Sequence, residues 1–403
     1  MKKVGYKKPQ ELRIMLIAVN TRLLLKNKLE GIGWFMYESL KRITQHHPEH
    51  KFLFLFDRPF SEEFIFSDNI SPIIIGPQAR HPLLWYWWFE QSLPKIFHRH
   101  EPDLFFSPDG FLSLCSSVKS VAVIHDLNFE HYPQDIPFIA RKYYKKYFPQ
   151  FAKNASRIAT VSEYSKQDIS KLYNVSSEKI DVVHNGANEA FKPKDPPTPR
   201  RGDLEFVDGL SPLRGGRGAE YFLFVGALHP RKNVARLLQA FEEFKKISSS
   251  KIKLVIAGEK MFKTSDIENV YNNMTFRDDV IFMGRVGTDE LKNVMASALA
   301  LVFVPYFEGF GIPIVEAMYC DVPVLTSTIT SMPEVAGNAA LLVDPFSVDS
   351  IKDGMIRIYK DEVLRNQLIL NGQKQRENFS WDKTGKKLWR CIEKAIDDPI
   401  HNR

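Results

Sequence analysis

The sequence predicts an α/β protein built from two doubly wound domains. Short apolar runs rich in β-branched and aromatic residues alternate with helix-period segments along almost the whole chain. Continuous apolar strands that alternate with helices are typical of parallel sheets covered on both faces. The plan occurs twice, and a stretch rich in Pro, Gly and Arg separates the two occurrences. A chain of 403 residues is long enough for two well-buried cores.

The predicted strands are apolar runs that end in polar or turn residues. In the first half they are RIMLIAV, KFLFLF, PIII, DLFFS, VKSVAVIHDL, RIATVS and DVVHNG. In the second half they are YFLFVGAL, KLVIAG, VIFMG, ALVFVP, VPVLTS and ALLVDP. After the last of these only helix-period segments follow, and SWDKTGKKLWRCIEKAI should form a final amphipathic helix.

One helix of the second half can be predicted in detail. The segment NVARLLQAFEEFKKI carries apolar residues at helical spacing, so one face should be buried, and Asn233 should be the N-cap. The apolar face comprises Val234, Leu237, Leu238, Phe241 and Phe244.

These signals divide the chain into four parts. We expect a Rossmann-like domain over residues 1–192, a linker over 193–219, a second Rossmann-like domain over 220–379 and a C-terminal helix over 380–403 that packs back on the first domain. Open α/β sheets bind ligands beyond the carboxyl ends of their strands. Two domains facing each other should therefore form a ligand cleft.

Composition and charge exclude several classes of protein. The apolar (44%) and charged (26%) fractions are those of a globular protein, and the longest aromatic cluster, LLWYWWFE, is too short to span a bilayer. The start of the chain is typical of a strand, not of a secretory signal. Three isolated cysteines (Cys115, Cys320 and Cys391) predict reduced thiols in a cytoplasmic protein without structural zinc. A net charge of +7 suits a phosphate-bearing ligand or an anionic membrane but is too small to indicate nucleic acid.

The segment FEGFGIPIVE places Glu308 and Glu316 eight positions apart. It should follow a buried strand, with Gly309 and Gly311 in the loop and Pro313 in the first turn of a helix. Helix N-terminal amides commonly bind phosphate, and an acid one turn into the helix could accept hydrogen bonds from a ribose diol. The alternative is a solvated loop acid and a glutamate that pairs with a basic side chain.

The segment FVGALHPRKN places Arg231 and Lys232 just before a helix. Cations at a helix start oppose the helix dipole, so an anion is expected there, and Arg with Lys is a usual pair for a diphosphate. Gly226, after the strand, would allow a ligand to approach the backbone. An exposed basic turn is the alternative.

Two weaker signals lie in the first half. Gly31 and Gly33 open an amphipathic helix, which is typical both of a phosphate cradle and of a simple turn. His125 and Asp126 end a buried strand and should point into the cleft, although a histidine in that place is as often structural.

Taken together, these segments resemble the retaining glycosyltransferases of family 4, which have the GT-B fold and move a sugar from a nucleotide diphosphate to an acceptor. The resemblance runs over nearly the whole chain and includes GIGWFMYESL, VAVIHDL, IATVSEYSKQDI, VVHNGANEAFKP, FVGALHPRKNVARLLQAF, LVIAG, EGFGIPIVEAM and TSTITSMPEVAGNAALLVDP.

The resemblance implies a role for each matching residue. Arg231 and Lys232 would bind the donor diphosphate and stabilise it as it leaves. Glu316 would hold the nucleotide ribose, and Glu308 and His125 would lie near the transferred sugar. The remaining donor-binding residues would be Gly31, Gly33, Gly226, Phe310, Gly311 and Ile312. Asp126 and Trp34 are the candidates on the acceptor side.

The implied activity needs no cofactor and no metal, because the nucleotide sugar, GDP-mannose or a UDP-sugar, is a co-substrate. We expect a saccharide or lipid-linked acceptor from polysaccharide biosynthesis, no nucleic acid partner, and a cytoplasmic protein with a peripheral contact at the inner face of the membrane. The basic residues Arg141, Lys142, Lys145 and Lys146 could meet anionic lipid or an acceptor phosphate, with a solvated helix face as the default. The aromatic segment HPLLWYWWFEQSLPKIFHRHEPD is expected to be a core helix, with a lipid-binding surface as the alternative.

Two other functions stay open. A nucleotide-sugar epimerase can share the fold and would change the donor without any acceptor. A non-catalytic basic protein could bind a membrane or a polyanion, but that function leaves the two glutamates unexplained.

Overall fold

The computed structural model describes residues 13–193, 221–259 and 264–398. These residues form two compact units, which divide the chain differently from the predicted domains. One unit contains residues 13–123, 150–158 and 389–398, and the other contains the rest. The predicted linker, apart from Pro193, lies outside the described residues, so the limits of the four parts stay predictions.

The first sheet has seven strands in the order β3-β2-β1-β4-β5-β6-β7. Its strands are β1 (Leu16–Asn20), β2 (Lys51–Phe56), β3 (Ile70–Ile74), β4 (Leu104–Ser107), β5 (Ser120–Val123), β6 (Arg157–Thr160) and β7 (Ile180–Val182). The pairs of β1 with β2 and with β4, of β2 with β3 and of β4 with β5 are parallel.

The second sheet has six strands in the order β10-β9-β8-β11-β12-β13, and its pairs are parallel. Its strands are β8 (Tyr221–Val225), β9 (Lys253–Ala257), β10 (Val280–Gly284), β11 (Ala300–Phe303), β12 (Val324–Ser327) and β13 (Ala340–Val343). Each predicted strand of both halves corresponds to one of the thirteen strands in the described part of the chain, and the doubly wound α/β class is confirmed.

Helices connect the strands, as parallel sheets require. They are α1 (Gly31–His46), α2 (Pro82–Trp87), α3 (Leu93–His100), α4 (Asn128–His131), α5 (Phe138–Asn154), α6 (Glu163–Tyr173), α7 (Val234–Ser248), α8 (Ser265–Asn272), α9 (Thr288–Ala296), α10 (Ile312–Tyr319), α11 (Met332–Ala336), α12 (Val348–Lys360), α13 (Glu362–Gln375) and α14 (Trp381–Asp397). Among the described helices, none combines the length and the hydropathy needed to cross a bilayer.

Helix α7 buries the predicted apolar face, and all five of its residues have at most 1% of their surface exposed. The prediction for Asn233 was right about its position and wrong about its hydrogen bonds. Asn233 occupies the N-cap position, but its side chain accepts no helix N–H. Instead its Nδ2 donates to the carbonyl oxygens of Val304 (2.9 Å) and Pro345 (2.7 Å). A left-handed backbone (φ 63°) turns the side chain away from the helix start, and Asn tolerates that conformation.

The aromatic segment is helical without interruption from Pro82 to His100, as predicted, but only part of it lies in the core. The helix consists of α2, a π-helical turn (Trp88–Ser92) and α3. Trp88 and Phe89 are fully buried, whereas Leu83 and Trp87 expose 73% and 57% of their surface. The prediction of a core position was wrong for the first part of the segment, because LLWYWW is apolar on all sides and the sequence could not indicate which of its residues face the core.

The end of α14, from Trp389 on, belongs to the first unit. The indole of Trp389 stacks on the imidazole of His47, with ring centroids 3.7 Å apart, and Lys119 Nζ donates to the carbonyl of Ile396.

Candidate active site

The strand order of the second sheet brings two sequence-distant loops together. Strands β8 and β11 are neighbours although two strands separate them in the sequence, so the order reverses between them. Such a switch point is where open α/β sheets bind ligands, beyond the carboxyl ends of the strands. The loop after β8 carries Arg231 and Lys232, and the loop after β11 carries Glu308.

Arg231 and Lys232 lie in a short 3₁₀ turn, Pro230–Lys232, that precedes α7. The imidazole of His229 accepts the N–H of Arg231 (3.4 Å), and the carbonyl of Arg231 accepts the N–H of Tyr306 (3.0 Å). These two bonds attach the basic turn to its own start and to the loop after β11. The backbone of the cationic pair is therefore held in place before any ligand binds.

The two cations meet a single carboxylate. Glu308 Oε2 lies 2.8 Å from Arg231 Nη1 and also accepts from Lys232 Nζ. Asp126 Oδ2 lies 3.7 Å from the same Arg231 nitrogen. Asp126, which the resemblance left on the acceptor side, thus contributes a second negative charge beside the predicted diphosphate pair.

Burial and charge oppose each other in this cluster. Burial disfavours the charged forms, but Glu308 and Asp126 raise the pKa of the Arg231 guanidinium above its ordinary value. For Lys232 burial prevails, and its pKa falls below the ordinary range despite Glu308. Burial also works against the Glu308 carboxylate, yet Arg231 and Lys232 hold its pKa below the usual value. Glu308 is therefore an anion at neutral pH.

Two serine hydroxyls hold the backbone around Glu308. Ser331 Oγ donates to the carbonyl of Glu308 (2.8 Å), and Ser165 Oγ lies 3.1 Å from the carbonyl oxygen of His125 and 3.5 Å from that of Gly309. A Cβ atom at Gly309 would lie 2.4 Å from that His125 carbonyl oxygen, so residue 309 can only be glycine without a shift of the backbone. His125 and Glu308 are thus brought close through their main chains.

Glu316 lies on α10 as predicted, one turn after Gly311, which is the N-cap with φ 92°. Pro313 occupies the first turn, also as predicted, and Ile312 is the first helical residue. Among the described residues, none forms a hydrogen bond or an ion pair with the Glu316 carboxylate. Burial alone raises its pKa to about 8. A carboxylate in this state gains when hydroxyl donors reach it, since they favour the charged form.

Two other predicted donor residues, Gly226 and Phe310, also lie in this unit. Gly226 follows β8, and a Cβ atom there would lie 3.9 Å from Lys232 Cε. Phe310 is buried, with its ring 5.5 Å from that of Phe379 and 6.1 Å from the imidazole of His184.

The sequence reasoning missed a group of polar residues around the basic turn. Tyr306 Oη donates to Asp135 Oδ2 at 2.7 Å. Burial, together with the charge of Arg231, lowers the pKa of His229, so its imidazole stays neutral. The signal was present in HYPQD and ALHPRKN, but only the fold shows that these segments meet.

A second missed group lies on Glu334 of α11. Its carboxylate accepts from the N–H groups of Glu163 (2.9 Å) and Tyr164 (3.1 Å) at the start of α6, and it pairs with His184 Nε2 (2.8 Å). Burial opposes the charge, but these partners lower the pKa of Glu334. All of its contacts bind backbone or histidine, so we assign it to the framework of the site.

Gly31, Gly33 and Trp34 belong to the other compact unit. Gly31 begins α1 as expected, and Trp34 packs edge-on against Tyr37 with ring centroids 5.8 Å apart. The roles of these residues in donor or acceptor binding stay predictions.

The first sheet has a polar network at its own switch point, between β1 and β4, that the sequence reasoning also missed. Asn20 Nδ2 donates to Asp109 Oδ1 (2.8 Å), and Arg22 Nε donates to Asp109 Oδ2 (2.8 Å). Arg22 and Asp109 are 6% and 7% exposed, and the guanidinium lies 4.3 Å from the Phe111 ring centroid. Arg22 and Asp109 thus find their partners within the first unit and join the loops that follow β1 and β4.

One group in the first unit has the composition of a metal site. His47, Glu49 and His50 bring ligand atoms within 4.8 Å of one another. His50 Nδ1, however, accepts the N–H of Met15 (3.3 Å), which places the proton of the neutral ring on Nε2. A protonated Nε2 cannot ligate a metal, and this nitrogen lies 3.5 Å from Glu49 Oε1, so the neutral form of the cluster does not fit a metal centre.

Comparison with known proteins agrees with the geometry. The family model "Glycosyltransferase Family 4" matches residues 30–191, and the model "Glycosyl transferases group 1" matches residues 215–375. O-antigen chain mannosyltransferase B of Escherichia coli is 28% identical over 377 residues, which cover 89% of this chain and 94% of that protein. O-antigen chain mannosyltransferase RfbU of Salmonella typhimurium is 32% identical over 222 residues, about half of each protein (55% and 56%).

Solved structures share the architecture. Sucrose-phosphate synthase from Thermosynechococcus elongatus matches with a TM-score of 0.73 and 16% identity over 96% of this chain and 100% of that one. WaaG, a glycosyltransferase involved in lipopolysaccharide biosynthesis, matches with a TM-score of 0.65 and 16% identity over the same shares. At such identities the likeness concerns the fold. The two family models and the two parallel sheets together show that this chain is a glycosyltransferase of family 4 with the GT-B fold.

Proposed function

We propose that the protein is a retaining mannosyltransferase that moves mannose from a nucleotide diphosphate sugar, GDP-mannose in the first place, to a saccharide or lipid-linked saccharide acceptor during polysaccharide biosynthesis. The observation that carries the proposal is the cationic pair Arg231–Lys232 at the switch point of the second sheet, held beside Glu308. The preference for mannose is supported by the names of the two relatives, both O-antigen mannosyltransferases.

The charges of the site suit the chemistry of this transfer. Breaking the bond between the anomeric carbon and phosphate builds positive charge on the carbon and negative charge on the departing diphosphate. Fixed cations at the leaving group stabilise that charge, and loss of one such contact typically costs about 3 kcal/mol of barrier. The Arg231 guanidinium can bind two phosphate oxygens at once, and Lys232 adds a point charge. Together they can stabilise the negative charge that grows on the diphosphate as it leaves.

The residues of the chain supply the other functions without a metal. Glu316 would accept hydrogen bonds from the ribose hydroxyls, and Glu308 and His125 would lie near the sugar. Retention would follow if the acceptor hydroxyl attacks from the face that the diphosphate leaves, with a diphosphate oxygen taking the proton. Neither glutamate is assigned as a nucleophile.

A lipid-linked acceptor would require the enzyme to work at a membrane, and one surface supports this. At the start of α5, Phe138 and Ile139 expose 57% and 53% of their surface. Lys142 Nζ lies 4.4 Å from the Phe138 ring centroid, and the sequence has no acidic residue from 136 to 162. Exposed apolar groups beside cations are typical of proteins that bind the interface of anionic membranes.

The reaction is tested with purified protein and candidate donors. Ligands should first be ranked by thermal shift, since a ligand at 100 times its Kd stabilises the fold by about 2.7 kcal/mol. We expect GDP-mannose to give a larger shift than UDP-sugars. Transfer of labelled mannose to a saccharide primer should then give an α-linked product from the α-linked donor. Conversion of the donor without an acceptor would instead identify an epimerase, and no shift with any nucleotide sugar would overturn the proposal.

The membrane contact is tested separately. We expect the protein to float with vesicles that contain an anionic phospholipid and not with neutral vesicles. The double variant Phe138→Ser, Ile139→Ser and the variant Lys142→Glu should both lose flotation. The control Lys386→Glu, on the exposed side of α14, changes the charge equally and should keep it. Equal flotation of all variants would contradict the contact at α5.

A further inference from the structure

The two cations of the site are already neutralised within the protein. Glu308 Oε2 is the common acceptor of Arg231 Nη1 and Lys232 Nζ, and the side chains of Glu308, Arg231 and Lys232 are 13%, 22% and 13% exposed. With Asp126 at 3.7 Å, two positive charges stand beside two negative charges. The cluster therefore has no formal net charge, although a diphosphate ligand carries at least two negative charges.

A bound diphosphate would use the same two cations that the Glu308 carboxylate neutralises. If Glu308 stayed in place, its carboxylate would share Arg231 and Lys232 with phosphate oxygens in a poorly solvated site. Like charges brought together in such surroundings repel strongly, because water no longer screens them. Movement of the Glu308 carboxylate away from the two cations would remove this repulsion.

We propose, resting on the function proposed above, that Glu308 is an exchangeable counter-ion, which the donor diphosphate displaces from Arg231 and Lys232 and which returns to expel the nucleotide product. The main chain around Glu308 is held in place, so the side chain can move without it. The Glu308 carbonyl is held by Ser331, and the next residue, Gly309, is packed against His125. The side chain can thus turn about its own torsions while the loop keeps its position.

The exchange makes a prediction that sugar binding alone does not make. A Glu308 that only contacts the donor sugar has no effect on ligands without a sugar. A Glu308 that competes for the cations weakens the binding of every diphosphate, including inorganic pyrophosphate. Removal of its charge should therefore tighten pyrophosphate binding while it lowers turnover.

The experiment measures pyrophosphate binding by calorimetry. Glu308→Gln should bind pyrophosphate about tenfold more tightly than the unchanged protein, or more, since close charge pairs couple by more than about 1.4 kcal/mol. It should also be inhibited by the nucleotide product at lower concentration. Glu308→Asp keeps the charge but is one methylene too short to reach both cations as before, so its affinity should lie between the two.

Two controls separate the exchange from general effects of charge. Asp349→Asn, at an aspartate whose side chain is 80% exposed, removes one negative charge elsewhere and should leave the pyrophosphate affinity unchanged. Arg231→Ala should abolish the tightening when it is combined with Glu308→Gln. Pyrophosphate binding by both Glu308 variants that is equal to or weaker than that of the unchanged protein would overturn the exchange.

The result also separates the exchange from the proposed function. If the unchanged protein transfers mannose and Glu308→Gln does not tighten pyrophosphate binding, the exchange is wrong and the function stands. If Glu308→Gln tightens pyrophosphate binding and no nucleotide sugar is turned over, the exchange stands and the function is wrong.

Discussion

The backbone of Gly309 lies against the carbonyl group of His125, so that a Cβ atom at residue 309 would sit 2.4 Å from the carbonyl oxygen. No rotamer change relieves this contact, because both partners are main chain. This contact fixes the distance between the backbones of two segments that lie more than 180 residues apart in the sequence. This distance governs where Glu308, the preceding residue, can place its carboxylate.

Gly309→Ala should therefore lower stability and activity together. Overpacking typically costs about 1–3 kcal/mol, and the shift of the loop should also reduce kcat. Unfolding in urea and initial rates measure the two effects. The control is Gly287→Ala, where a Cβ atom meets nothing within 4 Å and the loss should stay below about 1 kcal/mol. An alanine at 309 as stable as the one at 287 would refute the close packing.

Arg231→Ala and Lys232→Ala should each reduce kcat by about 10²–10³, the usual effect of removing one preorganised contact to developing charge. Release of the nucleotide diphosphate under saturating donor measures the rate. Arg285→Ala removes an exposed arginine of the same unit, 38% accessible and 3.5 Å from Glu259, and should leave kcat unchanged. Normal turnover in the Arg231→Ala, Lys232→Ala double variant would show that the two residues do not stabilise the leaving diphosphate.

Donor affinity should rise with pH through Glu316. Burial raises the pKa of its carboxyl to about 8, so below pH 8 the donor-free protein holds mostly the protonated form. If the ribose hydroxyls bind the carboxylate, donor binding releases a proton, and the Kd should fall as the pH rises from 6.5 to 8.5. Calorimetry in two buffers of different ionisation enthalpy measures that proton. Glu316→Gln should bind the donor more weakly and without the proton release, and a pH-independent Kd in the unchanged protein would exclude this role.

The same carboxyl should make stability depend on pH. Its folded pKa of about 8 exceeds the unfolded value of 4.5, so between these pH values the folded state binds more protons. The contribution of Glu316 to stability is therefore present below pH 4.5 and is lost as the pH rises through 8. Since the residue keeps part of its surface in water, the loss is smaller than the full shift implies. The Tm of Glu316→Gln relative to that of the unchanged protein should increase from pH 5 to pH 8.5, and a constant difference would contradict the raised pKa.

Asn233 should contribute more to the free energy of unfolding than an N-cap residue does. Its Nδ2 satisfies the buried carbonyls of Val304 and Pro345, and its backbone is left-handed. Asn233→Ala removes the donor of the Val304 carbonyl, leaves the Pro345 carbonyl with Arg236 Nη1 (3.2 Å), and also strains the backbone, so we expect a loss of about 2 kcal/mol or more. Asn233→Gly keeps the left-handed backbone, and its smaller loss isolates the hydrogen bonds. Urea unfolding measures both variants, and equal losses would show that backbone strain contributes nothing.

The sequence by itself determined the elements of the protein and the place of its chemistry along the chain. Apolar runs located all thirteen strands of the described part, because the strands of a covered parallel sheet need apolar side chains on both faces. Helical spacing identified the buried face of α7, and Pro313 with Gly311 marked the start of α10. The motifs around Arg231, Glu308 and Glu316 were enough to identify the family, because glycines and charged residues at fixed spacing are visible in the local sequence.

Only the tertiary structure decided which charged groups meet. The ion pair of Glu308 with Arg231, the packing of Gly309 on His125 and the bond of Tyr306 to Asp135 each join segments distant in sequence. Asn233 illustrates the limit, since its type indicated a cap while its partners lie 71 and 112 residues away. Local rules report the preferences of one segment. The order of strands in the sheet sets which loops emerge side by side, and with them the charges of the site.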